Sequence, residues 1–370
     1  MKTWKMTLLF LMMGGISYPI GAQAELSANA KVIATGLNNP RGLAFEPRSG
    51  LLYVAEAGLG GSNNTTGLCE QAPPPLGPIT GGSTGRISVI DASGRRFTLV
   101  DGLPSLKTQF GDILGPTDVE FSQGKLYVLI QAGCSKGDLN VPNAVFEITG
   151  GVPRLVADLS DFTIKNPQSY PPDSDQDPEG APASFKADKQ GGLLVVDANR
   201  STVNRMTPDG KVTRFVDLTQ FIMGFTVYDT PVAIDIDSSG NVFVGSFGYL
   251  PFAPSSSTIY KITSGTRQVF PIGWGFTTLI DMVFGPDGAL YVLETSTANT
   301  GNFPFLIRNT GRLSRLNRYG ALEFVTTGLD MPSAMTFGPD GKLYVSNRGH
   351  GVLGLPGQGE IVKIDPGPRR

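Results

Sequence analysis

An all-β, six-bladed β-propeller is the fold class predicted by this 370-residue sequence, on three observations. A two-strand pattern recurs six times, the chain is dense in turn residues, and no stretch sustains the 3.6-residue period of a helix. The turn residues are 48 Gly and 28 Pro, about a fifth of the chain where roughly 12% is usual. They follow no triplet period, which excludes collagen. Only 17% of residues are charged against a usual value of about 25%, which excludes a coiled coil and a highly charged disordered chain. A net charge of −2 leaves no electrostatic footprint for nucleic acid or an anionic membrane.

The repeats place the blades. Each opens with an apolar strand, usually led by Pro, then a tight turn and a second strand of the form Leu-Tyr-Val. Blade 1 begins Pro40-Arg41-Gly42-Leu43-Ala44-Phe45 with Leu52-Tyr53-Val54, and blade 2 begins Pro116-Thr117-Asp118-Val119-Glu120-Phe121 with Leu126-Tyr127-Val128. Blade 3 is a weaker copy, Pro182 to Ala187 with Leu193-Leu194-Val195. Blades 4, 5 and 6 start at Pro231, Leu279 and Pro332, with Val242-Phe243-Val244, Leu290-Tyr291-Val292 and Leu343-Tyr344-Val345. Two further β-rich stretches after each pair give four strands per repeat, as in a propeller blade. The last copy lacks its outer strand, and Lys31-Val32-Ile33-Ala34 near the N-terminus supplies one. Pairing the two closes the ring and leaves no open radial edge.

Ahead of the first strand, residues 1–24 read as a secretory signal: Lys2 and Lys5, an apolar run from Met6 to Ile16, and Ala22-Gln23-Ala24 before Glu25. Residues 25–370 are then expected to form one propeller domain, secreted or periplasmic, with no membrane span. Export makes Cys69 and Cys134 an expected disulfide. A single histidine, His350, removes multi-His metal sites and two-His zinc helices. Gly81-Gly82-Ser83-Thr84-Gly85 matches a nucleophile-elbow pattern without its strand–turn–helix setting.

The two rims differ. One is punctuated by tight turns such as Gly285-Pro286-Asp287-Gly288 and Gly338-Pro339-Asp340-Gly341, where Pro fixes φ and Gly accepts a positive φ. The other carries the long insertions at 58–84, 131–143, 165–181, 248–257 and 296–310, together with most aromatics outside the strands. Long loops on one face of a rigid scaffold are where binding resides. That face is expected to hold a small-molecule site, with Tyr228, Tyr249, Trp274 and Phe276 as stacking surfaces and Arg41 and Asn347 as polar contacts. Tyr228, Trp274 and Phe276 precede blades, whereas Tyr249, Phe252, Phe303 and Phe305 lie in the inserted loops.

Period-two alternation turns positions two and four after each strand-leading residue towards the channel, among them Asp118, Glu120, Lys186, Asp235 and Asp281. Asp118 and Asp281 sit at equivalent positions three blades apart, and carboxylates converging on an axis suit a hard cation such as Ca²⁺. At the mouth, the residue four after the leading position of the second strand gives Glu56, Ile130, Asp197, Ser246, Glu294 and Asn347. Its acids Glu56, Asp197 and Glu294 are candidate catalytic carboxylates.

These repeats, with Asn39-Pro40-Arg41-Gly42-Leu43-Ala44-Phe45 and Leu52-Tyr53-Val54-Ala55-Glu56-Ala57-Gly58, resemble NHL-type six-bladed propellers. Together with the Gly-rich, Cys-bearing insertion and Gly115-Pro116-Thr117-Asp118-Val119, the chain is similar to the ScyD/ScyE family over nearly all of residues 25–370. The resemblance implies an exported protein of the kind named for scytonemin biosynthesis, an indole–phenol pigment. Calcium-dependent gluconolactonase-like propellers place Glu, Asn and Asp one residue after the strand-leading position. Here that column reads Arg41, Thr117, Ala183, Val232, Ile280 and Ser333, a departure from the pattern. The expected function is thus an exported propeller that binds a small aromatic or apolar molecule at the axial mouth, in a late extracytoplasmic biosynthetic step. The alternatives are a calcium-dependent lactonase-type hydrolase and a non-enzymatic scaffold holding a protein partner on the long-loop face.

Overall fold

A computed structural model describes residues 25–368 apart from 75, 169–175, 223–224, 228, 249–251, 317–319 and 350–356. Around 220–227 and at 274 the backbone alone is described. The leader, Tyr228, Tyr249, His350 and the Trp274 side chain therefore lie outside the described residues.

Six small antiparallel sheets form a ring, a six-bladed β-propeller. Blade 1 is Pro40–Phe45, Leu52–Glu56, Thr80–Ile90 and Arg96–Lys107, with Ile113–Leu114 as a short fifth strand. Blade 2 is Pro116–Ser122, Lys125–Ile130, Ala144–Thr149 and Val152–Asp158; blade 3 is Pro182–Ala187, Leu193–Asp197, Thr202–Met206 and Val212–Asp217. Blade 4 is Pro231–Ile236, Val242–Ser246, Ser257–Ile262 and Val269–Phe276; blade 5 is Leu279–Phe284, Leu290–Glu294, Gly311–Leu316 and Leu322–Leu329. Blade 6 is Ala334–Phe337, Leu343–Asn347 and Gly359–Ile364, and its outermost strand is Ala30–Leu37, paired from Ala30↔Ile364 to Leu37↔Gly359. The ring thus closes through the N-terminal strand, which joins both ends of the chain in one sheet. Asn29 reinforces the closure, its Nδ2 donating to the carbonyls of Val325 and Asp365 at 2.9 Å each.

Why a Leu-Tyr-Val pattern recurs is visible between blades. The central ring packs edge-on against the Phe that ends the next blade's innermost strand: Tyr53 on Phe121, Phe243 on Phe284, Tyr291 on Phe337 and Tyr344 on Phe45, at 4.8–5.1 Å between centroids. Such pairs contribute about 0.5–1.5 kcal/mol each beyond their burial. Blade 3 read as a weak copy because Leu194 and Ala187 replace these rings, and its junctions are filled by Phe185, Met206 and aliphatic side chains instead. Each of the six junctions has its own apolar cluster, so the core is distributed around the ring.

One seven-residue helix, Leu159–Lys165, follows blade 2, with Asp158 capping it by accepting from the Asp161 N–H at 2.8 Å. The disulfide between Cys69 and Cys134 joins the long insertion of blade 1 to the connection inside blade 2. No helix among the described residues is long and apolar enough to cross a membrane.

Candidate functional site

The innermost strands set the geometry of the axis. In blades 1 to 5 the pairing of the first and second strands is irregular at the start, between Pro40 and Leu43, Pro116 and Asp118, Pro182 and Ser184, Pro231 and Ala233, and Leu279 and Asp281. Strict alternation would turn consecutive residues to opposite faces; a bulge lets two neighbours face the same way. As a result Arg41, Thr117, Ala183, Val232 and Ile280 line the axial cavity, immediately above the column containing Asp118 and Asp281; Ser333, just ahead of the paired residues of blade 6, lines it as well. Alternation alone had placed only the second of these columns there.

The cavity has a volume of about 770 Å³, within the range of roughly 300–1,000 Å³ of small-molecule sites. Its floor is charged. Asp118, Glu120, Lys186 and Asp281 face it, and Asp235 stands behind. Lys186 Nζ lies 3.4 Å from Glu120 and 3.6 Å from Asp235. The acids also satisfy the free edges of the innermost strands. Asp118 accepts from the Val119 N–H at 2.8 Å and, across the blade junction, from the Phe185 N–H at 3.1 Å. Asp281 does the same with Met282 and Met335, both at 2.7 Å, and Asp235 accepts from the Phe284 N–H at 2.6 Å. Burial pushes the Asp118 carboxyl well above the usual carboxylate range, against the pull of its backbone donors and helped by the charges of Asp281 and Glu120. Burial likewise raises Asp281 to about 7, and it raises Glu120 although Lys186 opposes the shift. The attraction of Glu120, then of Asp235, holds the Lys186 ammonium above its ordinary value.

Ca²⁺ takes six to eight oxygen ligands. Both oxygens of Asp118 and of Asp281 already receive backbone N–H groups, and an ammonium stands among the axial acids. Among the described residues no three acidic, His or Cys side chains converge as metal ligands. The donor set at the axis does not fit the hard cation that the sequence suggested.

The roof is apolar. Phe110, which follows the outer strand of blade 1, stacks on Phe303 from blade 5 at 5.2 Å, and Phe305 stands edge-on to both at 6.4 and 6.2 Å. Phe252 of blade 4 meets Phe305 at 6.3 Å and Phe247 at 5.1 Å. Five phenylalanines from three blades so border one side of the mouth. Phe252, Phe303 and Phe305 were visible as loop aromatics. Phe110 and Phe247 were not: Phe247 is the residue before the 248–257 insertion, and Phe110 lies in the short link between Arg96–Lys107 and Ile113–Leu114, far from any insertion. Phe276, expected in this role, is instead 1% exposed in the junction of blades 4 and 5, because its strand turns it inward.

The expected mouth carboxylates do not line the cavity. Glu56 is fully buried, accepting from the Asn38 N–H at 2.6 Å and from Arg86 at 2.7 Å. Glu294 accepts from the Thr277 N–H at 2.9 Å and from Arg312 at 2.6 and 2.8 Å. Asn347 accepts from the Asp330 N–H at 2.9 Å and donates to Glu360 at 2.7 Å. In each case the backbone group lies two residues before the strand-leading position, so this column latches the chain as it enters blades 1, 5 and 6. Asp197 is a variant of the same latch, accepting from the N–H groups of Ala181, Asn199 and Arg200 at 3.0–3.1 Å; burial, the largest influence, raises its carboxyl. Arg41 does line the cavity, with one amino group 3.1 Å from Asp112.

The opposite wall is polar. Lys136, 2% exposed, pairs with Asp177 at 3.1 Å, and both line the cavity with Gln176 and Asn199. The disulfide holds this wall, since Lys136 follows Cys134 by two residues and the Ala72 N–H donates to the Ser135 carbonyl at 3.0 Å.

No protein-family model matches this chain, and no curated protein matches it. Solved structures do. The putative oxidoreductase (glucose dehydrogenase) of Thermus thermophilus shares 17% identity at a TM-score of 0.57, with 92% of this chain and 100% of that chain covered. A gluconolactonase of Xanthomonas campestris shares 11% identity at a TM-score of 0.55, over 91% of this chain and 89% of that one. Regucalcin of Agrobacterium tumefaciens, a calcium-binding protein, shares 14% identity at a TM-score of 0.54, over 90% and 92%. The chain thus has the fold of six-bladed propeller lactonases and sugar dehydrogenases, at identities that speak for the fold alone.

Proposed function

We propose that the axial cavity binds a small, largely aromatic molecule, its ring against the phenylalanine border and its polar end towards the charged floor. The observation that carries this reading is the division of one 770 Å³ cavity into an apolar rim of five phenylalanines and a buried polar interior. Aromatic pairs favour the stacked and edge-on arrangements found at that rim, and a flat ligand would extend them. The similarity of the repeats to ScyD/ScyE proteins agrees with an exported protein acting on such a molecule late in a biosynthetic sequence. Calorimetric titration with indole, para-cresol and D-glucose tests the reading. One-site binding of the two aromatics, lost when Phe303 and Phe305 are both changed to Ala, is expected; binding of glucose alone would overturn it.

A second reading, a lactonase-type hydrolase, is favoured by Asp281. A carboxyl raised to about 7 by burial on the axis is poised for general acid–base work near neutral pH. Its support from known proteins is the shared fold of the Xanthomonas campestris gluconolactonase. Hydrolysis of D-glucono-1,5-lactone that disappears in Asp281→Asn is the result expected of it.

A further inference from the structure

We infer that the polar end of the ligand is a hydroxyl group, held on the axis between Lys186 and Glu120. The inference rests on the aromatic-binding role proposed above and names the group that the floor selects.

Lys186 and Glu120 stand on the innermost strands of adjoining blades, Pro182–Ala187 and Pro116–Ser122, each four residues after the leading proline. Both line the cavity. Their side chains are open, 33% and 19% exposed, whereas that of Lys136 is closed at 2%. The contact between them is loose. Lys186 Nζ lies 3.4 Å from Glu120 and 3.6 Å from Asp235, against about 2.7–2.9 Å for a charge-assisted hydrogen bond. The other cations of the cavity are held more closely, Arg41 by Asp112 and Lys136 by Asp177, both at 3.1 Å. Asp118 and Asp281 form no ion pair among the described residues; each of their oxygens receives a backbone N–H group instead. At the floor of a cavity bordered by phenylalanines, an ammonium with donors to spare thus faces an acid with lone pairs to spare.

Donor and acceptor counting selects what fits between them. Two groups 3.4 Å apart can both be reached from one oxygen at ordinary hydrogen-bond length, about 2.8 Å from each. A hydroxyl oxygen accepts from the ammonium while its O–H donates to the carboxylate. A carbonyl or ether oxygen only accepts, and would set its lone pairs against Glu120. A cationic amine would meet the Lys186 ammonium and be repelled. An anion finds no charge to neutralise, because Asp235 balances the ammonium whether or not Glu120 holds a proton.

Four indoles that differ in one substituent test this in calorimetric titrations: 5-hydroxyindole, 5-methylindole, 5-methoxyindole and indole-5-carboxylate. The wild-type protein is expected to bind the hydroxy compound about tenfold more tightly than the methyl compound, which has the same shape but neither donates nor accepts. The methoxy compound, which only accepts, and the carboxylate should both bind more weakly than the hydroxy compound. Lys186→Met and Glu120→Leu each remove one half of the bridge, and in either variant the preference for hydroxy over methyl should fall towards one. Glu120→Leu leaves the ammonium its Asp235 partner, so it carries the test if Lys186→Met fails to fold. Equal binding of hydroxy and methyl compounds by the wild type would overturn the inference and leave the aromatic-binding role standing. A preference that survives the substitutions, methoxy binding as tight as hydroxy, or tightest binding of the carboxylate would overturn it as well. If none of the four binds, the aromatic-binding role itself fails and the inference with it.

Discussion

Asp281 gives the sharpest test of how the axis is organised. Its carboxyl is raised by burial to about 7 in the folded protein, whereas an unfolded chain returns it to the ordinary value of 3.8. Below about pH 3.8 both states hold the proton, and the stabilising contribution is fully present. As pH rises, the unfolded chain ionises first while the folded protein keeps the proton, so stability falls until the folded group ionises near 7. The slope is about 1.36 kcal/mol per pH unit, and the interval from 3.8 to 7 corresponds to a loss of about 4 kcal/mol from this group. Asp118, shifted the same way, adds to the loss. With one histidine in the chain, the other buried acids whose carboxyls are raised, Asp118, Glu120 and Asp197, are present in both proteins, so the comparison with a variant isolates Asp281. Asp281→Asn removes the titration and keeps one acceptor for the N–H groups of Met282 and Met335, giving up one hydrogen bond of about 1 kcal/mol. Urea unfolding at pH 5, 6 and 7 should therefore find the wild type losing up to about 1.4 kcal/mol per unit more than the variant, with the variant the more stable of the two at pH 7. Parallel slopes for the two proteins would refute an ionisable Asp281 buried on the axis.

Other expectations follow from single contacts. A Cβ on Gly42 would stand 1.9 Å from Asp118 Oδ1 and 2.5 Å from its Cα, so Gly42→Ala should cost about 2–3 kcal/mol in urea unfolding by forcing Asp118 off its backbone donors. Replacing both Cys69 and Cys134 by Ser opens a 65-residue loop and should lower stability by about 4 kcal/mol in the chain-entropy account, and it should weaken aromatic binding because Lys136 and Ala72 share that strap. Thermal melts in EDTA and in millimolar Ca²⁺ should coincide, since the axial oxygens are committed to N–H donors and to Lys186; a stabilisation by Ca²⁺ that Asp118→Asn abolishes would contradict that account.

The fold was legible because its grammar is local and repeated. The Pro-led strand, the Gly-Pro-Asp-Gly turn and the ring–Phe contact recur at each junction where the sequence keeps them, and the spare strand Ala30–Leu37 has one place to pair. The site was legible only in part. Asp118 and Asp281 were placed correctly on the axis by alternation, but the bulge that also admits Arg41 and its column has no residue signature shared by Pro40-Arg41-Gly42 and Leu279-Ile280-Asp281. Phe276 was misplaced because precedence in sequence says nothing of which face a strand buries. Gln176 and Lys136 were missed as cavity-lining residues because a lone polar residue in an insertion carries no pattern.

The latch column shows why position in a repeat had to be separated from role. Glu56 and Glu294 looked like mouth acids because they recur near the axis at the end of a strand. Recurrence there reflects a recurring structural need, the backbone N–H two residues before blades 1, 5 and 6. Glu294→Gln tests this directly. The amide keeps an oxygen for the Thr277 N–H but presents its NH₂ to Arg312, which now holds two close contacts at 2.6 and 2.8 Å and stacks over Phe324 at 4.6 Å. Breaking a buried pair costs about 3–5 kcal/mol, and the 20% exposure of Arg312 lowers the expectation to about 2–4 kcal/mol. The affinity of the remaining folded protein for indole should be unchanged, because neither residue borders the cavity. A variant of normal stability with weakened binding would return Glu294 to the mouth and refute the latch; lower stability with intact binding leaves recognition to the rim and the floor.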